Sequence, residues 1–345
     1  IIPPWINKYY ILDLREKNSF IRWAVSQGLT VFCISWVNPD AKLAEKSFEN
    51  YMVEGPLAAL AAIEAATGQR NANVIGYCLG GPLLAATLAC MRANGDDRVT
   101  SATFFASMVD FEEPGELGVF IDDYQLSIID EKMEERGYLD GSEMASTFNM
   151  LRANDLIWSF VINNYLMGKA PFPFDLLYWN SDSTRMPAAM HSFYLHKMYR
   201  DNKLVEPGEL TFMETPVDLR KIETPAFILS TREDHIAPWK STYRATQLYN
   251  GPVTFTLAAS GHIAGVVNPP KPKKYGYWTN SKKPEDPDAW FAGAKEHEGS
   301  WWPAWRLWLK KFTGGKVNAR HPGDRDLRVI EDAPGSYVRV RADGE

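Results

Sequence analysis

The chain has 345 residues, of which 45% are apolar and 23% charged, proportions ordinary for a globular protein with room for a full core. Its 37 basic and 43 acidic side chains leave a formal charge of −6, which argues against a nucleic-acid binder held by bulk electrostatics. No apolar run is long enough for a membrane span, and Cys33, Cys78 and Cys90 have neither zinc-ligand spacing nor a disulfide pattern, as expected in a reducing cytoplasm. Aromatic residues reach 13%, with 12 Trp, which predicts an aromatic-lined pocket, a broad interaction surface, or both. No signal peptide is visible, although the chain opens on Ile1 rather than Met, as a piece of a longer protein would.

Taken in order, Ile1 to Lys8 starts abruptly, as if the strand feeding it lay upstream. Ser19 to Val25 has helical spacing and stops at Gly28, a good C-terminal cap. Leu29 to Trp36 is a continuous β-branched and aromatic run, which predicts a strand buried on both faces with Cys33 in the core. Phe48 to Ala66 reads as an alanine-rich helix ending at Gly68, and Val99 to Val109 as a further strand. From Asp110 the pattern turns helical or irregular and rich in aromatics, among them Phe120, Tyr124, Trp158, Phe160, Phe172, Phe174 and Tyr194. A long insertion of this kind between core strands predicts a cap or lid. Pro225 to Ser230 restores a buried strand, followed by a helix over Trp239–Tyr249 and a strand over Val253–Leu257. Lys271 to Asp288 reads as a Pro/Lys-rich loop, Ser300 to Phe312 as an amphipathic Trp-rich helix, and the remainder as a partly extended tail. Strand alternating with helix predicts an α/β protein with a doubly wound, mostly parallel sheet. The expected division is a core over 1–109 lacking its first strands, a cap over 110–222, and the core resumed over 223–345 with the tail.

The stretch on which this organisation turns is Asn73 to Gly81. Val74-Ile75 reads as a buried strand, Cys78 as the turn, and Pro82 onward as a helix, with Gly76 and Gly80 two residues either side of the cysteine. That is the nucleophile-elbow pattern with cysteine in the serine position. The turn is tight enough that a Cβ at either glycine would meet the neighbouring strand or helix, and the helix N-terminus favours a thiolate. The bland alternative is a buried structural cysteine between chance glycines. Asp234 and His262 also follow predicted strands, so the chain order is nucleophile, acid, histidine, which is the order of the α/β-hydrolase fold. Neither His191 and His196 in the cap nor His297 and His321 near the C-terminus has metal-ligand spacing, and no metal site is expected. His235 is a candidate for shaping the site by its adjacency to Asp234 alone.

At these residues the sequence resembles the polyhydroxyalkanoate synthases, most nearly those of class I. The resemblance runs through Pro3-Pro4-Trp5-Ile6-Asn7-Lys8, Ser35-Trp36-Val37-Asn38-Pro39-Asp40, Gly76 to Gly81, Asn154-Asp155-Leu156, and Pro173 to Asn180. It continues through Arg232-Glu233-Asp234-His235-Ile236, Gly261 to Val266 and Gly299 to Pro303. Members of that class carry an N-terminal domain and the first core strands ahead of the Pro-Pro segment.

The resemblance implies an acyltransferase that polymerises (R)-3-hydroxyacyl-coenzyme A, with release of coenzyme A. The substrate or chain-end hydroxyl attacks an acyl-Cys78 thioester. Cysteine suits such a reaction because exchange of one thioester for another is nearly thermoneutral. His262 would carry the proton. By the logic of the fold, the backbone N–H groups of Leu79 and Ile6 would form the oxyanion hole. Asp234 would either orient His262 or help activate the substrate hydroxyl. An aromatic lid would keep out water, although ordinary packing or a dimer surface explains those residues equally. Lys271, Lys273, Lys274, Lys282 and Lys283 read first as a solvated basic loop and second as contacts for the anionic coenzyme. The coenzyme A thioester is substrate, so no cofactor is expected. The expected partners are the growing polyester chain, its granule surface in the cytoplasm, and a second copy through the cap, with no nucleic acid and no membrane span. A cysteine hydrolase of the dienelactone type and a non-catalytic granule scaffold are the competing readings.

Overall fold

A computed structural model describes residues 1–151, 161–169 and 175–340. Trp158, Phe160, Phe172, Phe174 and the Asn154-Asp155-Leu156 and Pro173-Phe174 motif residues lie outside the described residues. In chain order the elements are α1 (Phe20–Ser26), α2 (Phe48–Met52), α3 (Ala58–Thr67), β1 (Ala72–Tyr77), α4 (Gly80–Ala93) and β2 (Val99–Phe105). Between the core strands come α5 (Asp123–Arg136), β3 (Tyr138–Leu139), α6 (Gly141–Leu151), α7 (Asp175–Ser181), β4 (Met186–Pro187) and α8 (Ala188–Phe193). The two-residue strands β5 (Thr211–Phe212) and β6 (Thr215–Pro216) precede β7 (Ala226–Thr231), α9 (Trp239–Tyr243), α10 (Ala245–Leu248) and β8 (Val253–Ala258). The last elements are β9 (Gly276–Thr279), α11 (Pro287–Ala292), β10 (Lys295–Glu298) and α12 (Trp302–Leu309).

The main sheet has the order β1-β2-β7-β8-β9-β10, parallel through β8 and antiparallel beyond it. This is the α/β-hydrolase arrangement the sequence predicts. Alternate residues supply two separate cores, because successive strand side chains point to opposite faces. Phe104, Ile228 and Phe255 pack on the face of Leu83 and Leu88 from α4, while Phe105, Phe227 and Leu229 meet Phe20 and the tryptophans of the C-terminal helix. A fully buried large side chain contributes about 1.5–3 kcal/mol, so both faces matter to stability. No described helix is long and apolar enough to cross a membrane.

Several elements differ from expectation. Leu29–Trp36 is extended but forms no strand, and Phe32 is 37% exposed. Ile1 and Ile2 lie between this run and β1: Ile34 N donates to Ile1 O at 3.1 Å, and Ile2 is bridged to Gly76. Cys33 is half-buried there rather than in the core. The strand predicted over Val99–Val109 stops at Phe105, because Ala106 takes a left-handed φ of 44°. The long alanine-rich helix is interrupted by a π-helical turn over Val53–Leu57 around Pro56, which has no N–H to give the ladder. The predicted Pro/Lys loop contains β9, and α11 begins at Pro287. The tryptophans mostly build core: Trp290, Trp301, Trp302 and Trp305 are fully buried.

Candidate active site

β1 ends at Tyr77 and α4 begins at Gly80, leaving Cys78 to turn the chain at a left-handed φ of 51°. Such a backbone costs an ordinary L-residue of order 1 kcal/mol or more. Two hydrogen bonds hold the turn: Cys78 N donates to Phe105 O of β2, and Gly81 N donates to Cys78 O, both at 2.9 Å. The flanking glycines are required by space. A Cβ on Gly76 would stand 2.5 Å from the Gly80 carbonyl oxygen, and one on Gly80 would strike the Ile2 carbonyl.

Asp234 follows β7 in a tight turn that uses every oxygen of its carboxylate. Ile236 N and Ala237 N donate to Oδ1 at 2.9 Å each, Thr231 Oγ1 donates to Oδ2 at 3.0 Å, and His262 Nδ1 lies 2.7 Å from Oδ2. His262 follows β8, where Ser260 (φ 75°) makes the bend. Its carbonyl accepts from Tyr77 Oη at 3.2 Å and the two rings stack at 5.8 Å. Trp301 and Trp302 donate their indole N–H groups to Gly265 O at 2.9 Å and Val266 O at 3.0 Å, so the C-terminal helix pins the histidine loop. Burial alone would lower the His262 pKa, but the Asp234 charge, the Cys78 charge and the hydrogen bond to Asp234 outweigh it. The value therefore sits well above that of an ordinary imidazole. The pair's stabilising contribution is thus complete below about pH 6.5, the unfolded imidazole value, and is lost as pH rises through the folded value. In an NMR titration the His262 ring should change state on the alkaline side of 6.5. His191, held down to about 4 by burial, should change state only in acid. A His262 titration at or below the unfolded value would contradict this arrangement.

A cavity of about 500 Å³ is lined by Cys78 and Leu79, by Trp5 and Ile6, and by Leu117, Ile121 and other residues of the segment between β2 and β7. Most of its wall is apolar. Leu79 and Ile6 both line it, and neither backbone N–H makes a hydrogen bond to a described residue. The His235 carbonyl accepts from Glu116 N at 3.2 Å, and its neighbour Ile236 lines the cavity. The five lysines of the 271–283 region are exposed and none lines the cavity.

Sequence reasoning missed the polar part of the wall. His191 and Tyr199, on the helix that runs from α8 into a π turn over Tyr194–Arg200, both face the cavity. The recurrence of His191, Leu195 and Tyr199 at every fourth position is the signal that could have found them, although the π turn blurs it. Tyr199 is raised in pKa by burial first and then by the charges of Cys78 and Asp234. His196, by contrast, pairs with Asp130 at 2.7 Å, and His297 with Thr279 Oγ1 at 2.8 Å.

The remaining thiols are of another kind. Burial pushes Cys33 and Cys90 up to about 11 each, so both stay protonated and unreactive at neutral pH. Iodoacetamide at pH 7.5 should label Cys78 alone by peptide mapping, and Cys33→Ala or Cys90→Ala should retain turnover at a stability cost of about 1 kcal/mol. Labelling of Cys33 or Cys90 at a rate equal to Cys78 would refute this.

Residues 16–269 match the family model for the alpha/beta hydrolase fold, and residues 1–24 match that for the N-terminus of poly-beta-hydroxybutyrate polymerase. The chain belongs to the alpha/beta hydrolase fold family. Within it, its relatives are poly(3-hydroxyalkanoate) polymerases, in keeping with the resemblance read from its motifs. It is 55% identical to the poly(3-hydroxyalkanoate) polymerase subunit PhaC of Rhizobium meliloti and 53% identical to the poly(3-hydroxyalkanoate) polymerase of Methylorubrum extorquens, in each case over 99% of this chain and 56% of the relative. Identity to the PhaC subunit of Cupriavidus necator is 43%, over 99% of this chain and 59% of that protein. The chain spans a little over half the length of the curated relatives it matches.

Proposed function

We propose that this chain is the catalytic portion of a poly(3-hydroxyalkanoate) polymerase, an acyltransferase that joins (R)-3-hydroxyacyl-coenzyme A units into polyester through an acyl-Cys78 thioester. The observation that carries this reading is a cysteine on a nucleophile elbow that lines a largely apolar cavity, with an Asp234–His262 pair buried beside it. His262 takes the thiol proton as Cys78 Sγ attacks the acyl carbonyl, and the carbonyl electrons move to oxygen. The free N–H groups of Leu79 and Ile6 receive that oxyanion. When the tetrahedral intermediate collapses, the C–S bond to coenzyme A breaks and the departing thiolate takes the proton from His262. The hydroxyl of the next unit or of the chain end then gives its proton to His262 and attacks the acyl-Cys78 carbonyl. An ester forms and the Cys78 thiolate is released. Water would compete for the acyl-enzyme, and the apolar wall disfavours its entry. Granule association in the cytoplasm and a homodimer through the segment over the cavity belong to the same reading, and no cofactor is required.

Incubation with 3-hydroxybutyryl-coenzyme A tests the proposal against its rivals. Polymer with free thiol is expected. Free 3-hydroxy acid with thiol would make the chain a cysteine hydrolase, and no thiol at all would make it a scaffold.

A further inference from the structure

The loop Trp5–Tyr10 contains one lysine, and the fold buries it to 3% exposure. A buried ammonium is unfavourable unless every donor finds a partner. Lys8 Nζ meets Asp182 Oδ1 at 2.8 Å, Val338 O at 3.4 Å and Val340 O, and lies 5.5 Å from the Tyr337 ring. Tyr10 Oη donates to the other Asp182 oxygen at 2.7 Å. One side chain thus joins three pieces of sequence: the loop itself, the return from α7 to the core, and the C-terminal segment.

The loop backbone is fixed from the same directions. Lys8 N donates to Asp182 O at 3.3 Å, Thr184 N donates to Ile6 O at 3.0 Å, and the Trp179 indole N–H donates to Lys8 O at 2.8 Å. Asn7 Nδ2 donates to Trp179 O at 3.1 Å and Asn180 O at 3.2 Å. Tyr9 Oη reaches Pro334 O at 2.7 Å. Within this dense network the Ile6 N–H is left without a described partner, at a residue that lines the cavity over Cys78. A buried ion pair is a weak source of net stability, and its better-attested use is to fix one arrangement among several.

We propose that Lys8 is a positioning residue for the reaction at Cys78: its charge, clamped between Asp182 and the Val338 and Val340 carbonyls, holds the loop so that the Ile6 N–H faces the developing oxyanion. This rests on the acyl-transfer reading above. An oxyanion contact matters in the transition state and little in the ground state, so its loss should appear in kcat.

The test compares the parent with Lys8→Arg, Lys8→Met and the charge-balanced Lys8→Met/Asp182→Asn, which leaves no lone buried charge. Two rates are measured on each: thiol release from 3-hydroxybutyryl-coenzyme A, and alkylation of Cys78 by iodoacetamide, which forms no oxyanion. For Lys8→Met and the double variant, kcat should fall about 10- to 100-fold, with KM changed less than about threefold and alkylation at the parental rate. Lys8→Arg should recover part of kcat. Loss of alkylation in step with kcat would mean that Lys8 merely supports the fold, and retention of kcat in the double variant would mean that the clamp does not serve the reaction. Either result overturns the proposal while leaving acyl transfer intact. A parent that alkylates normally yet releases no thiol would overturn both.

Discussion

On the acyl-transfer reading, Cys78→Ala should reduce coenzyme A release by roughly 10⁴-fold or more, since it removes the sulfur that would carry the acyl group. The protein should still fold. Alanine at 78 keeps the φ of 51° and the two hydrogen bonds of the turn, which are backbone bonds, and loss of one half-buried sulfur costs about 1 kcal/mol. Cys78→Ser should also leave little polymer formation, because an unperturbed hydroxyl is a far weaker nucleophile than a thiol beside a histidine. Slow acylation of the serine would then trap an ester detectable by intact mass. Thiol release in Cys78→Ala at the parental rate would end the covalent mechanism. Parental polymerisation in Cys78→Ser would show that the site does not exploit thiol chemistry.

The second large effect concerns Asp234. Both its oxygens are engaged: Oδ1 by two backbone N–H groups, Oδ2 by Thr231 and His262. Any help it gives an attacking hydroxyl must pass through the imidazole. In Asp234→Asn the amide oxygen can stay with Ile236 N and Ala237 N, which turns the NH₂ toward His262 Nδ1 and favours the tautomer with no lone pair left for the reacting proton. A Cys–His pair tolerates this better than an alcohol does, because the thiol is already the more acidic group. We therefore expect single-turnover coenzyme A release to fall about 10-fold and steady-state chain growth roughly 10³-fold. Equal losses in the two assays would reduce Asp234 to orienting His262 for both steps.

Much of this site is legible in the sequence because its demands are local. Gly76 and Gly80 stand two residues from Cys78 for lack of space, and the strands before Cys78, Asp234 and His262 are short apolar runs ended by turn residues. The α1 boundaries are equally local: Ser19 caps the helix by accepting from Arg22 N at 2.8 Å, and Gly28 takes a φ of 81° beyond its end. What could not be read depends on partners far along the chain. Leu29–Trp36 has the composition of a central strand, but it joins no sheet among the described residues, its backbone meeting Ile1 instead. β9 looks like loop because its neighbours in sequence are Pro and Lys, whereas its ladder partners are β8 and β10. The burial of Lys8 depends on Asp182 and on Val338 and Val340, and nothing near position 8 announces either. The twelve tryptophans point to aromatic packing, but composition cannot say that Trp301 and Trp302 grip the carbonyls behind His262.

The sheet order has a consequence for how the chain comes into being. β2 pairs with β7, yet the whole segment carrying α5 to α8 is translated between them. Synthesis is vectorial at about 5–20 residues per second, and long-range parallel pairing is slow to form. β1, α4 and β2 therefore emerge as a unit with one edge of the sheet open and the elbow already turned, while Asp234, His262 and the Lys8-binding tail are still to be translated. At that stage Cys78 lacks the Asp234–His262 pair beside it, and Lys8 lacks its contacts with the C-terminal segment. On the acyl-transfer reading, reactivity at Cys78 should therefore arrive late, with the docking of β7, β8 and the C-terminal helix.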